Sequence, residues 1–199
     1  MPLAPIVTIP TPRLELVPLA AEHLDDLMAV NGDDRVTRFL PYDTWAARQD
    51  AEAWFERIQG LTEAGATRQL VLQRRSDARV VGTLLLFKFD EASQRLEVGY
   101  ALAHDCWGQG LMREAVQAAC AHAFGALGLR RLEAEVNPAN LASCRLLQAL
   151  GFQLEGTLRQ RWTAKGHSYD THLFGLLLQD WQLLHPDAAP VENALRHPS

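Results

Sequence analysis

The chain has 199 residues, 48% hydrophobic and 22% charged, with a formal net charge of −5 at pH 7. Those values fit one soluble globular domain with a single sizeable core, and they exclude general nucleic-acid binding, which needs a basic surface. No apolar run reaches membrane-span length, the start Met1-Pro2-Leu3-Ala4-Pro5 lacks the pattern of a secretory signal, and Cys106, Cys120 and Cys144 form neither a disulfide framework nor a zinc pattern, so the cytoplasm is the expected compartment. Residues 1–10 hold three prolines and read as a loose lead-in to a domain at 11–185. Arg13 to Leu19 alternates as a first strand. Ala21 to Val30 reads as a short helix stopped at Asn31-Gly32, and a second helix is expected from Thr44, as N-cap, to Glu63. Between them Arg38 to Tyr42 is an aromatic-rich loop, a type that packs or lines a site.

Three strands follow: Arg68 to Arg74, Arg79 to Phe87, and Arg95 to Leu102, with turns at Ser76–Ala78 and Asp90–Ser93. After a long helix closed by Gly128, Arg131 to Val136 alternates as another strand. Asn140 opens a helix that runs to Leu150 and stops at Gly151. Phe152 to Arg161 and Ser168 to Leu178 then form an antiparallel pair around Ala164–His167. Residues 186–199 carry three more prolines and little pattern, and read as a flexible tail. The order predicts an α+β fold, a mixed sheet with helices on its faces, and not the strict alternation of a doubly wound dinucleotide fold.

The chain's organising stretch is Tyr100 to Ala115. Leu96, Val98, Tyr100 and Leu102 alternate with Glu97, Gly99 and Ala101, as in a pleated strand. From Leu111 the apolar positions (Leu111, Ala115, Val116, Ala119, Ala123, Phe124, Leu127) follow a helical stripe. Gly108 and Gly110 stand between, at a helix start whose free N–H groups and dipole suit a phosphate; a glycine loop that merely turns the chain is the competing reading. Neither Gly-x-x-x-x-Gly-Lys-Ser/Thr nor Gly-x-Gly-x-x-Gly is present, because Arg113 stands where the latter's third glycine would be.

Four stretches in this order resemble the GNAT superfamily of acyl-CoA-dependent N-acyltransferases, and within it the RimJ/RimL branch, whose members acetylate protein N-termini and other amines. They are Thr11-Pro12-Arg13-Leu14-Glu15-Leu16, Glu97-Val98-Gly99-Tyr100, Trp107 to Ala115, and Asn137-Pro138-Ala139-Asn140-Leu141-Ala142-Ser143 running on to Leu150-Gly151-Phe152. The superfamily's Arg/Gln-x-x-Gly-x-Gly/Ala frame falls on Trp107 to Met112. Gly110 matches it; Trp107 and Met112 depart, and both side chains are expected to pack.

The resemblance implies a mixed, mostly antiparallel sheet of about seven strands, with helices on both faces and one splayed parallel pair, 96–102 and 131–136. It implies acetyl-CoA as acyl donor, with the pantetheine arm bonded near Ala101, Leu102 and Ala103 and the pyrophosphate on the N–H groups of Gly108, Gln109, Gly110, Leu111 and Met112. Arg113 and Arg145 add charge there or are solvated helix-surface arginines. Asn137 would position the arm, and Asn140 would bond it, cap its helix, or both.

Direct transfer to an amine needs a base and a donor for the leaving thiolate. Glu97 is the candidate base, with Glu133 and Glu135 as competitors on the same alternation. Ser143 is the candidate donor, its alternative being a bond to its own helix backbone. An α-amine, about a tenth neutral at pH 7, needs only a modest base. Cys106 and Cys144 have no histidine fixed beside them and read as packing thiols; His104, His122, His167 and His172 lack metal-ligand spacing, so no metal is expected. The expected function is acetylation of a primary amine, such as a protein N-terminus. The alternatives are acetylation of a small amine (polyamine, amino acid or antibiotic) or a non-catalytic acyl-CoA-binding module. The acceptor is expected to be selected by Phe39–Tyr42, the second helix and the Ala164–His167 turn. The chain is expected as a monomer or homodimer, without nucleic-acid or membrane partners.

Overall fold

The computed structural model describes residues 8–186. Among them one sheet of eight strands runs in the order β1-β2-β3-β4-β5-β6-β8-β7. The strands are β1 (Ile9–Pro10), β2 (Leu14–Pro18), β3 (Thr67–Arg74), β4 (Val80–Asp90), β5 (Arg95–Leu102), β6 (Arg131–Val136), β7 (Gln153–Ala164) and β8 (His167–Leu177). All neighbours are antiparallel except β5 and β6. The helices are α1 (Leu24–Asn31), α2 (Asp34–Thr37), α3 (Arg48–Glu63), α4 (Leu111–Gly125), α5 (Leu141–Ala149) and α6 (Leu178–Leu184).

The strand period of two sorts each strand's side chains onto two faces. Leu70, Leu84, Leu86, Leu96, Val98, Leu132, Ala134, Phe174 and Leu176 share one face and form the main core with the apolar stripe of α4. On α4, Leu111, Ala115, Val116, Ala119, Ala123 and Phe124 are buried, which explains why a helix with few charged residues holds this position. The other face is divided. Over β3 and β4 it is covered by α1 and α3 through Leu24, Leu27, Trp54, Ile58 and Val71. Over β5 and β6 it carries charge instead: Arg95, Glu97, Arg131, Glu133 and Glu135.

Four expectations are corrected. Ile9 and Pro10 pair with Leu16 and Glu15, so the end of the lead-in adds an eighth strand; the rest of that lead-in, and the tail from 187 on, lie outside the described residues. Thr44 does not cap α3. Its hydroxyl meets Asp34 and Thr37, and the Asp50 carboxylate accepts from the N–H groups of Ala46 and Ala47 at the helix start. The segment between α1 and α3 also contains α2, whose N-cap Asp33 accepts from the Arg35 N–H. After β8 the chain becomes α6, and Trp181 is buried 5.9 Å from the Phe124 ring. The apolar run Leu173–Leu178 conceals that change of period.

Candidate active site

The parallel pair is joined only at its start. β5 and β6 match at Arg95↔Arg131, Leu96↔Leu132 and Glu97↔Glu133, and pairing stops there although both strands continue. β6 stays with β8 as far as Val136↔His172, and β5 stays with β4 as far as Leu102↔Gly82, so the two strands part and leave a gap. The phase of the β4–β5 ladder decides which backbone groups face it. The Ala103 N–H donates to the Val81 carbonyl at 2.8 Å, so the odd residues of β5 aim at β4 and Val98, Tyr100 and Leu102 aim at the gap. Of Ala101, Leu102 and Ala103, only Leu102 therefore presents its backbone to the gap. Ala103 is spent twice, since its carbonyl also accepts from Cys106. Ladder phase depends on register with a partner strand, which alternation within β5 does not reveal.

At the end of β5 a short 3₁₀ turn (His104–Cys106) leads into Trp107 to Gly110 and then α4. Gly108 has φ +72° and Gly110 φ +77°, the left-handed region that glycine enters without penalty. The first N–H in the helix with a partner belongs to Glu114, bonded to the Gly110 carbonyl. Among the described residues the N–H groups of Gly108, Gln109, Gly110, Leu111, Met112 and Arg113 have no hydrogen-bond acceptor, and Gly108 to Gly110 are exposed. This row of donors at the positive end of a fifteen-residue helix fits a pyrophosphate. Met112 packs, as expected, at 7% exposure. Trp107 does not: it is 46% exposed, its indole N–H donates to the Leu102 carbonyl at 2.8 Å, and its ring lies 4.7 Å from that of His104. The core below this turn is already filled by Cys106 and Leu111, so the larger ring lies on the strand end. Arg113 and Arg145 are exposed, with no ion pair among the described residues.

On the core face of the gap, the Ser143 hydroxyl lies 2.7 Å from the Tyr100 hydroxyl. Ser143 is in the first turn of α5, where Asn140 accepts its N–H at 3.2 Å. Asn140 is therefore the cap, and Ser143 is left free to point its side chain away from its own backbone. Asn137 accepts the Ala139 N–H at 2.9 Å, forming the turn between β6 and α5. In both asparagines the side-chain oxygen is used while the NH₂ remains available. Tyr100 had been legible only as an apolar strand position; burial holds its phenol well above the ordinary value. Cys144, beside Ser143, is buried, and burial pushes its thiol up too.

On the opposite face, Glu97 stands at the last paired position before the strands part, with its side chain 8% exposed. Lys88 Nζ lies 2.6 Å from Glu97 Oε2 and 3.0 Å from Glu135 Oε1. Lys88 reaches them from a bulge in β4, where its φ is +52°. Burial raises the Glu97 pKa, and Glu135 and Glu133 push the same way; Lys88 opposes them without cancelling the rise. Burial would raise Glu135 as well, but hydrogen bonds from Lys88 and from the Trp162 indole, at 2.7 Å, hold it below the usual range. Glu133 is taken by Arg95 and Arg131, each at 2.8 Å. Glu97 and Glu135 thus share a face but are shifted in opposite directions, and Glu97 is the one whose environment favours proton uptake.

The β7–β8 hairpin overhangs this region. Lys165, at its tip, donates to the Thr37 carbonyl at 2.8 Å, tying the turn to α2 and the adjoining Arg38–Tyr42 loop. Of the expected acceptor-selecting segments, the Ala164–His167 turn thus touches α2, two residues before Phe39–Tyr42, while α3 packs its apolar face over β3. Among the described residues no group of three His, Cys, Asp or Glu side chains could hold a metal ion, and no helix is long and apolar enough to cross a membrane.

Comparison with known proteins gives this geometry a family. The acetyltransferase (GNAT) domain family matches residues 13–153. The uncharacterized N-acetyltransferase p20 of Bacillus licheniformis is 34% identical over 175 residues, covering 87% of this chain and 98% of p20. Among solved structures, a GCN5-related N-acetyltransferase from Brucella melitensis has a TM-score of 0.84 at 24% identity, over 94% of this chain and 86% of that one. Mycobacterium smegmatis RimJ, in complex with CoA-disulfide, has a TM-score of 0.78 at 23% identity, over 90% of each chain. The two structures share the fold. The family match across most of the chain and the near full-length likeness to p20 carry the conclusion further: this chain belongs to the GNAT family and is an N-acetyltransferase.

Proposed function

We propose that the chain transfers an acetyl group from acetyl-CoA to a primary amine, foremost the α-amine of a protein or peptide N-terminus. The observation that carries this reading is the seat of Lys88: two carboxylates, the buried Glu97 and the partly buried Glu135, hold a primary ammonium where β5 and β6 part. A face that holds one primary amine in this way suits another, and the half-exposed Lys88 can yield to it. Acetyl-CoA supplies the acyl group as a thioester. Its pyrophosphate is taken by the N–H groups of Gly108 to Met112 with Arg113 alongside, and its pantetheine arm by the gap edge of β5 at Leu102 and the free NH₂ groups of Asn137 and Asn140.

Glu97 takes a proton from the amine as its nitrogen bonds the acyl carbon. As the C–S bond breaks, the Ser143 hydroxyl, set by Tyr100, donates to the departing sulfur. An α-amine suits a carboxylate base because a sizeable share is already neutral near pH 7, about a tenth, against about one in two thousand for a lysine.

The test is thiol release from acetyl-CoA against short peptides with free N-termini, lysine, polyamines and aminoglycosides. Turnover confined to peptides with a free α-amine, and lost when that amine is blocked, is the expected result. Turnover only with small amines would replace the acceptor. Silence across the panel, in protein that still binds acetyl-CoA, would count against catalysis on any of these amines.

A further inference from the structure

The motif Thr11-Pro12-Arg13 lies far from α4 in sequence but against its first turn in space. Arg13 Nη1 donates to the Gln109 carbonyl at 2.8 Å, and Arg13 Nε donates to Glu114 Oε2 at 2.7 Å. The Arg13 backbone N–H also donates to Glu114 Oε1 at 2.7 Å, and the Thr11 hydroxyl lies 2.6 Å from that same oxygen. Arg13 is therefore fixed at its backbone and along its guanidinium, and the next residue, Leu14, is fully buried in β2. A Cβ placed on Gly110 would come within 3.5 Å of Arg13 Nη2, so the guanidinium flanks the backbone of the loop.

A trans peptide points its C=O and N–H in opposite directions. The bond between Gln109 and Gly110 is trans, as are all those in the described chain. Fixing the Gln109 carbonyl on the Arg13 side therefore turns the Gly110 N–H to the other side. Flipping this plane changes only ψ of Gln109 and φ of Gly110, and a glycine accepts either sign of φ, so the loop itself offers little resistance to it. We propose that Arg13 is a positioning residue of the pyrophosphate cradle, holding the Gln109 carbonyl out of it and the Gly110 N–H into it. This rests on the reading that these N–H groups receive the pyrophosphate. The positive charge of Arg13 is already matched by Glu114, so its contribution is orientation more than attraction. It also covers a carboxylate that would otherwise stand uncompensated in the first turn of α4, beside the incoming anion.

The test separates these effects with two donors and three variants, Arg13→Ala, Glu114→Gln and the double substitution. CoA affinity is read by calorimetry, and kcat/KM is read with acetyl-CoA and with S-acetylpantetheine, which lacks the diphosphate. Arg13→Ala should weaken CoA about tenfold, the scale of one charge-assisted hydrogen bond, and leave kcat/KM for S-acetylpantetheine within twofold. The double variant should bind CoA about tenfold more weakly than Glu114→Gln alone, because no carboxylate remains to be covered. Equal affinity of those two would overturn orientation by Arg13. So would an equal loss on both donors, which is the mark of a role in folding only. Wild-type protein that does not bind CoA would remove the cradle reading itself, and calorimetry registers that outcome whatever the acceptor.

Discussion

Lys88 and Glu97 form the central ion pair of the charged sheet face, Nζ to Oε2 at 2.6 Å, and they reach it by opposite routes. Glu97 lies within a regular strand, whereas Lys88 is delivered by a bulge with a left-handed backbone. The pair favours the ionised form that the proposed base needs, because burial, Glu135 and Glu133 all favour the protonated form of Glu97 and Lys88 opposes them. Removing the cation in Lys88→Met should therefore raise the Glu97 pKa further. A base must be unprotonated, so the acidic limb of the kcat/KM profile should move to higher pH, while Glu97→Gln should lower kcat about 100-fold without changing acetyl-CoA affinity. A pH–rate series on the three proteins checks both. An acidic limb that stays in place in Lys88→Met would remove Glu97 as its source.

The Tyr100–Ser143 contact predicts non-additive kinetics. If Ser143 donates to the leaving sulfur and Tyr100 only sets it, Ser143→Ala should lower kcat about 100-fold and Tyr100→Phe about tenfold. The double variant should then fall no further than Ser143→Ala, since a positioning group has nothing left to position. Multiplicative losses, read at saturating acetyl-CoA, would show that the two hydroxyls act separately.

Much of this arrangement was legible because the strand and helix periods are clean. The alternation in β5 and β6, the Gly108–Gly110 loop and the Asn140 cap all rest on local chemistry, and each is where the pattern put it. What escaped was chemistry set by register. That Leu102 faces the gap while Ala103 faces Val81 depends on ladder phase, and that Lys88 meets Glu97 depends on a bulge with no local signature in Phe87-Lys88-Phe89. Tyr100 was hidden by its own amphipathic character: an apolar body in a strand pattern, with a hydroxyl that finds Ser143 only once α5 packs. Arg13 was visible as part of a motif, but its contact with Gln109 joins positions 96 residues apart.

Glu114 carries a prediction about stability. Burial alone would raise its pKa, yet hydrogen bonds from Thr11 and Arg13 outweigh this and leave it below the ordinary glutamate value. A carboxylate depressed in the folded state contributes stability that is fully present above its unfolded pKa, near 4.5, and is lost as pH falls through the folded value. Glu114→Gln should therefore cost about 2 kcal/mol at pH 7, a typical figure for hydrogen bonds to a charged group, and its deficit should shrink steadily below pH 4.5. Urea unfolding at pH 7 and in the acidic range checks the slope. A deficit independent of pH would mean that the Glu114 charge contributes nothing to the clasp.

Trp107 offers a direct report on the gap. Its indole N–H occupies the Leu102 carbonyl, the same backbone acceptor that an arm lying along the edge of β5 would use. Both cannot hold it in the same way, so CoA binding should displace the indole and change its fluorescence. Trp45, Trp54 and Trp181 are buried in the cores and Trp162 bonds Glu135, so they should respond little to the donor substrate alone. Trp107→Phe should abolish the binding-induced change, and it should tighten CoA about threefold, because the carbonyl no longer has a neutral hydrogen bond to give up. A spectral change that persists in Trp107→Phe, with affinity unchanged, would mean that the Leu102 carbonyl is not vacated and that the arm takes its hydrogen bonds elsewhere on the edge, at Val98 or Tyr100.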